Sequence, residues 1–242
     1  MDIMSETVSN SQWSGHPLSE ARFNALFDHW AKTYDLVVSG ADVEYAEVFA
    51  GYDQILERVV RDIGLPSGAL VVEIGLGTGN LTKKLKARGY RVIGVEPSQA
   101  MREEARRKIE GVDIRDGSFL HLPLDSNLDS KEWQIDAFVS TYAFHHLTDE
   151  EKEFALQKMV TRLVPKGKIV FADTLFVDET ARQSMIEEAR RRGFSRLERD
   201  LTEEFYPLLP NLKKMLERVG LEMKFEQLNR YVWLWKGERR QT

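Results

Sequence analysis

The 242-residue sequence predicts an α/β domain built on a doubly wound, mostly parallel sheet, and three observations lead to it. Residues 69–89 read as a buried apolar strand, a glycine-rich turn within VVEIGLGTGN, and a helix stopped by a glycine. Apolar runs of strand length then alternate with segments of helical period, the pattern of parallel strands covered on both faces. Two last apolar runs, LEMKFEQLN and YVWLWK, follow one another closely enough to pair antiparallel at one edge. Seven strands are expected in all.

Residues 1–20 carry mostly polar side chains and read as a mobile tail, which leaves residues 21–242 as a single domain. Phe23, Phe27, Trp30, Ala31 and Tyr34 recur at helical spacing, as do Val48, Tyr52, Ile55, Leu56 and Val59, so two amphipathic cap helices are expected over residues 21–62. Ala69–Ile74 is the first strand, and Leu81 and Leu85 mark the helix that stops at Gly89. RVIGVE is the second strand, after which Ser98 can cap a helix; VDIRDGSF is a short third and IDAFVSTYAF a fourth. KIVFADTLF is a fifth strand, following the turn VPKGK. Residues 178–210 form a polar, helix-prone insertion, and Leu212, Leu216 and Val219 mark a helix that ends at Gly220.

Composition narrows the function classes. With 42% hydrophobic residues the chain can bury one substantial core. A net charge of −5 offers no general attraction to nucleic acid, and every long apolar stretch is broken by charge short of a membrane span. The absence of cysteine excludes a disulfide framework, a cysteine metal site and a thiolate nucleophile. It fits a reducing compartment, and the first 20 residues have neither a basic start nor a sustained apolar run, so a cytoplasmic protein with no bound metal is expected.

Gly75, Gly77 and Gly79 let the chain turn sharply and let a ligand approach backbone that a Cβ would cover, although a tight strand-to-helix turn needs glycines too. Glu96 ends the second strand, where a doubly wound sheet places an acid beside the ribose of a nucleoside. A dinucleotide turn asks for G-x-G-x-x-G, yet the third glycine position holds Asn80. A nicotinamide-dependent oxidoreductase therefore fits the turn poorly.

The pattern E-x-G-x-G-x-G from Glu73 to Gly79, followed by VEPSQAM, resembles the class I methyltransferases that use S-adenosylmethionine. FDHWAKTYD, GSFLHLPL, TYAFHHL and LVPKGKIVFAD fall in the family's order, so the resemblance covers residues 23–236. The chain is similar to the uncharacterised bacterial YrrT-like group, which shares FDxWAxxYD and the EFYP segment at Glu204–Pro207. The resemblance implies a Rossmann-like sheet with S-adenosyl-L-methionine as cofactor and S-adenosyl-L-homocysteine as product. By the same resemblance, Glu73, Gly75, Gly77 and Gly79 frame the methionyl part and ribose, and Glu96 holds the ribose hydroxyls. Pro97 and Met101 then lie near the adenine, and Thr141 ends the fourth strand beside the cofactor. Ser118 stands where the family often has an aspartate that accepts from the adenine amino group; its hydroxyl can accept that bond more weakly, and the Phe119 backbone N–H is the other contact offered to the adenine. Tyr34 is expected over the methionyl end. Met101, Phe119 and Tyr34 are equally well read as core residues.

Methyl transfer from a sulfonium is an in-line displacement that requires alignment and exclusion of water, with no covalent protein intermediate. A general base is needed only where the acceptor keeps a proton. Tyr142, His145 and His146, just beyond the fourth strand, are the candidates, while paired histidines at a strand end also serve as helix caps. The insertion 178–210 is expected to cover the acceptor side. Arg190–Arg192 reads as a solvated helix face that can also meet an anion. The fourth-strand segment STYAF lacks the Asn-Pro-Pro-Tyr pattern of base amino methylation, so a small-molecule acceptor is expected. A non-catalytic cofactor-binding protein is the remaining alternative.

Overall fold

A computed structural model of the protein describes residue 31 and residues 33–124 and 134–239. Its centre is a seven-stranded sheet in the order β3-β2-β1-β4-β5-β7-β6. The strands are β1 (Leu70–Ile74), β2 (Arg91–Val95), β3 (Asp113–Arg115), β4 (Ile135–Thr141), β5 (Leu163–Thr174), β6 (Leu221–Gln227) and β7 (Val232–Arg239). β3 through β5 are mutually parallel, and β7 pairs antiparallel with both β5 and β6. The helices are α1 (Tyr52–Ile63), α2 (Asn80–Ala87), α3 (Gln99–Lys108), α4 (Asp149–Arg162), α5 (Glu179–Arg191), α6 (Ser195–Glu203) and α7 (Leu209–Arg218).

Strand alternation divides the core in two. Val71, Ala137, Val139, Val170 and Ala172 face one side with Ile55, Leu56, Val59 and Ile63 of α1. Leu70, Val72, Ile74, Phe138, Ile169 and Phe171 face the other with Leu156, Met159, Leu212 and Leu216 of α4 and α7. β1 is buried along its whole length, as a strand covered on both faces must be. Three caps set helix starts: Ser98 accepts from the Met101 N–H, Thr148 and Glu151 form a reciprocal capping box, and Asp178 accepts from the Ala181 N–H.

Several boundaries differ from the sequence reading. Phe23, Phe27 and Trp30 of the first cap helix, and the tail 1–20, lie outside the described residues. Tyr34–Leu36 makes one helical turn that runs into Val37–Ala41, and Val48 belongs to turns that precede α1. VDIRDGSF contributes three residues to β3, because Gly117 and Ser118 turn the chain back and the Ser118 N–H donates to the His121 carbonyl. VPKGK is part of β5. Pro165 cannot donate to a ladder, Lys166 takes φ 64°, and the register with β4 jumps from Ile135↔Leu163 to Ala137↔Lys168, which is a bulge within a continuing strand.

Two of the three turn glycines are required by packing. A Cβ on Gly75 would lie 2.6 Å from the Ala143 Cβ, and one on Gly79, whose φ is 87°, would be driven into the Ile109 side chain. Gly79→Ala is therefore expected to cost about 2–4 kcal/mol of stability in urea unfolding. Adding Ile109→Ala should recover the packing part of that loss, so the double variant is more stable than the sum of the two single changes.

Candidate functional site

Sheet order reverses between β1 and β4, and an open sheet binds ligands outside the carboxyl ends of its strands at such a point. The turn after β1 and the segment Tyr142–His146 after β4 both lie there. Gly75 and Leu76 donate their N–H groups to the Val95 carbonyl at 2.8 and 3.3 Å, which fastens the turn to the end of β2. Glu96 completes the junction: its carboxylate accepts from the Gly77 N–H at 2.9 Å and from the Ser98 N–H at 3.0 Å, and it is only 4% exposed. A space with no atom within 4 Å opens where a Gly77 Cβ would stand. An open backbone face beside a fixed, buried carboxylate is what a ribose with two vicinal hydroxyls requires.

A small cavity beside this junction is lined by Tyr34, Tyr52, Glu73, Gly75, Gly77 and Thr141 among others. Glu73 is buried and accepts from the Thr82 hydroxyl. Burial pushes its carboxyl up to about 8, with the charge of Glu96 adding to the rise and the Thr82 hydrogen bond opposing it. The Tyr34 and Tyr52 rings supply aromatic faces, and a sulfonium is a cation that such faces accommodate. Open backbone at Gly77, acids at Glu96 and Glu73 and aromatic walls together suit S-adenosylmethionine.

The remaining sequence candidates separate. Met101 is buried, and Phe119 is a core residue whose ring packs 5.4 Å from Phe144 and 5.9 Å from Phe171. The Ser118 hydroxyl accepts from the Leu120 and His121 N–H groups at 3.3 and 3.2 Å, which commits it to its own loop. Pro97 offers its carbonyl to Arg102 at 2.7 Å. Gly79, as its packing shows, faces Ile109.

Tyr142 sits at φ 54°, a strained conformation for a tyrosine, and its buried hydroxyl has no protein hydrogen-bond partner. Its ring packs 5.0 Å from Phe49 and 5.6 Å from Tyr52. Burial raises its phenol well above the ordinary value, with Tyr52 and Asp173 adding to the effect, so the hydroxyl stays protonated at neutral pH and is no base. His145 is held twice by Asp173: the backbone N–H donates at 3.0 Å and ring Nδ1 lies 2.7 Å from the other carboxylate oxygen. Burial works against charge on this ring, but Asp173 outweighs it and raises the histidine. His146 Nδ1 lies 3.1 Å from Glu204, and burial together with its charged neighbour lowers His146. Tyr206 stacks on His145 at 4.8 Å, and Lys152, fully buried, donates to the Leu147 and Phe205 carbonyls. Burial brings that lysine down to about 8.

Sequence reasoning did not find Asp173, Asp200, Tyr45 or Lys152, because nothing in their local spacing announces them. The EFYP segment was visible as a motif, and the structure explains it: Glu204 meets His146, the Phe205 N–H donates to the His145 carbonyl, and Tyr206 covers His145. The insertion forms a two-helix unit, α5 and α6, whose Ile186, Ala189, Leu197 and Leu201 share a core with Tyr45 and Val48. Arg196 bonds both oxygens of Asp42, at 2.8 and 2.9 Å, and Glu44 accepts from the Arg196 and Leu197 N–H groups. Arg190 and Arg192 pair with Glu198 and Glu47, so two members of the arginine run hold the hairpin and its neighbour.

A larger groove between α1 and α2 lies away from these residues. Its Arg58 is paired with Asp62 and Glu226 and its Lys84 with Asp53 and Glu57. Among the described residues no helix is long and apolar enough to cross a membrane, and no group of three or more His, Cys, Asp or Glu side chains is placed to hold a metal ion.

Glu73 makes stability depend on pH in a definite direction. Its folded value lies above the ordinary carboxylate range, so between about pH 5 and pH 8 the folded state holds a proton that the unfolded state releases, and this contribution is lost as pH rises. Urea unfolding should find Glu73→Gln more stable than the parent at about pH 9, with the gap closing towards about pH 5. A constant gap would place the titration elsewhere.

A family model described as a methyltransferase domain matches residues 71–167. An uncharacterised methyltransferase of Oceanobacillus iheyensis is 45% identical over 212 residues, spanning 88% of this chain and 95% of that one. A Geobacillus relative, also an uncharacterised methyltransferase, is 50% identical over 214 residues, with the same coverage of 88% and 95%. The solved structure of a Synechocystis magnesium protoporphyrin IX methyltransferase with bound S-adenosylmethionine shares the fold, with a TM-score of 0.63 at 14% identity over 91% of this chain and 97% of that one. Glycine turn, the acid after β2 and sheet order thus agree with a relationship that runs through nearly the whole described domain, and the chain belongs to this family of bacterial class I S-adenosylmethionine-dependent methyltransferases.

Proposed function

We propose that the protein transfers the methyl group of S-adenosylmethionine to a small-molecule acceptor enclosed between the N-terminal segment and the α5–α6 hairpin. The observation that carries this reading is the covered edge of the sheet. The hairpin and the segment Asp42–Val48 are joined by Arg196 with Asp42 and Glu44 and by the Tyr45 hydroxyl donating to Asp200, directly beside the carboxyl ends of β4 and β5. A wall fastened at both ends suits an acceptor that fits inside it, where water is excluded.

The cofactor, when bound, supplies the electrophilic methyl and carries away the sulfur as a neutral thioether. The chain's own work is to bind and align. Glu96, fixed by Gly77 and Ser98, accepts from the two ribose hydroxyls, and Gly77 lets the backbone come close. Glu73 lies at the methionyl end, where a neighbouring cation favours its ionised form. Thr141 and Tyr142 stand between this end and the acceptor edge.

For an acceptor that keeps a proton on its nucleophilic atom, His146 is the base. Its lowered proton affinity keeps the ring neutral near pH 7, and the Glu204 carboxylate beside Nδ1 favours the tautomer that carries its proton there and its lone pair on Nε2. His145, raised by Asp173, is more readily charged and serves to hold the turn after β4. The Tyr142 hydroxyl, protonated and without a protein partner, is a hydrogen-bonding group available to orient the acceptor.

Titration calorimetry tests the ribose assignment. Glu96→Ala should weaken S-adenosylhomocysteine by about a hundredfold, and Glu96→Gln, which keeps one acceptor oxygen, by less; unchanged affinity in Glu96→Ala overturns it. Incubation of the enzyme and methyl-labelled cofactor with a deproteinised, nucleic-acid-free metabolite extract should place label in a product of low molecular mass. Label that appears only when macromolecules are restored would overturn the acceptor class.

A further inference from the structure

Asn80 departs from the dinucleotide fingerprint, and the structure gives it a task. Asp35 Oδ1 accepts from the Thr78 hydroxyl at 2.7 Å and from the Asn80 side-chain amide at 3.1 Å, and Asp35 Oδ2 accepts from Lys108 at the end of α3. One carboxylate thus joins the segment that precedes α1, the glycine turn and α3. Burial works to raise Asp35, but the hydrogen bonds from Lys108, Thr78 and Asn80 hold it below its ordinary value, so it is ionised in this arrangement. Its chain neighbour Tyr34 is hydrogen-bonded to the Tyr52 hydroxyl, and the Asn80 amide lies 3.4 Å from that same Tyr52 oxygen. Tyr34 and Tyr52 are the two aromatic walls of the cavity at Glu73, Gly75 and Gly77.

We infer that Asp35 is a positioning residue for the cofactor: seated on Thr78 and Asn80, it closes the segment Thr33–Ala41 over the glycine turn and fixes Tyr34 and Tyr52 at the amino-acid end of bound S-adenosylmethionine. This rests on the cofactor reading above. Asp35 acts through the two tyrosines and through the turn itself. A glycine at position 80 has no side-chain amide to offer, so the residue that departs from the dinucleotide pattern is the one that receives the cap. Gly40, at φ 87° inside an otherwise helical run and with no atom within 4 Å of a Cβ built on it, ends the segment on a residue free to change its backbone.

Two ligands separate this role from its rivals. S-adenosylhomocysteine carries the amino-acid end, whereas 5′-methylthioadenosine keeps the adenine, the ribose and a methylated sulfur and lacks that end. Titration calorimetry on the full chain should find that Asp35→Ala and Asn80→Ala each weaken S-adenosylhomocysteine by about tenfold, with 5′-methylthioadenosine within about twofold of the parent. The double variant should lose little beyond the larger single loss, because both changes break one contact. Asp35→Asn keeps an oxygen for Thr78 and Asn80 and should retain most of the affinity. Equal weakening of both ligands, or no weakening of either, would overturn the inference. So would an Asp35→Asn variant as weak as Asp35→Ala, since the charge alone would then be responsible. Glu96→Ala should weaken both ligands; a parent protein that binds neither would overturn the cofactor reading and the inference with it, whereas the other contrary outcomes overturn the inference alone.

Discussion

The carboxylate of Glu96 is the junction on which the site depends. It ties the turn after β1 to the start of α3 by accepting from the Gly77 and Ser98 N–H groups, in a position almost closed to solvent. A buried carboxyl group is costly without donors, and here two backbone N–H groups at the ends of adjacent parallel strands supply them. The acid therefore sets the conformation of the turn as well as the chemistry beside it. Gly77, whose missing Cβ leaves open space, is held at a fixed distance from the same acid.

Around this junction the chain keeps two acidic environments apart. Beside the turn after β1, Glu73 is buried with a hydroxyl donor from Thr82 and is pushed up by desolvation. Beside the turn after β4, Asp173 and Glu204 are each matched by a histidine, and Lys152 fastens that turn to the segment after α6 through backbone carbonyls. The two histidines diverge although they are adjacent, because Asp173 meets one by two contacts while the other bears its neighbour's charge.

Much of the fold was legible in the sequence because its signals are local. Buried strands between helical periods, glycines at φ above zero and an acid at the end of β2 all carry their meaning within a few residues, and they gave the sheet, its antiparallel edge and Glu96. Three features were not legible. That a Cβ on Gly75 or Gly79 would meet Ala143 or Ile109, distant in sequence, is a packing reason for glycine that the turn itself does not announce. The VPKGK turn could not be seen as a bulge without its partner strand. Asn80 was visible as a departure from one fingerprint, yet its partner Asp35 lies 45 positions away. Hydrogen bonds across such separations belong to the packed structure and leave no periodic trace in the chain.

A crystal structure of the enzyme with S-adenosylhomocysteine tests the proposed site most directly. Both ribose hydroxyls should lie within hydrogen-bond distance of Glu96, with the amino-acid end beneath Tyr34 and Tyr52 and Asp35 still bonded to Thr78 and Asn80. A ribose remote from Glu96, or a ligand in the groove of Arg58 and Lys84, would contradict it.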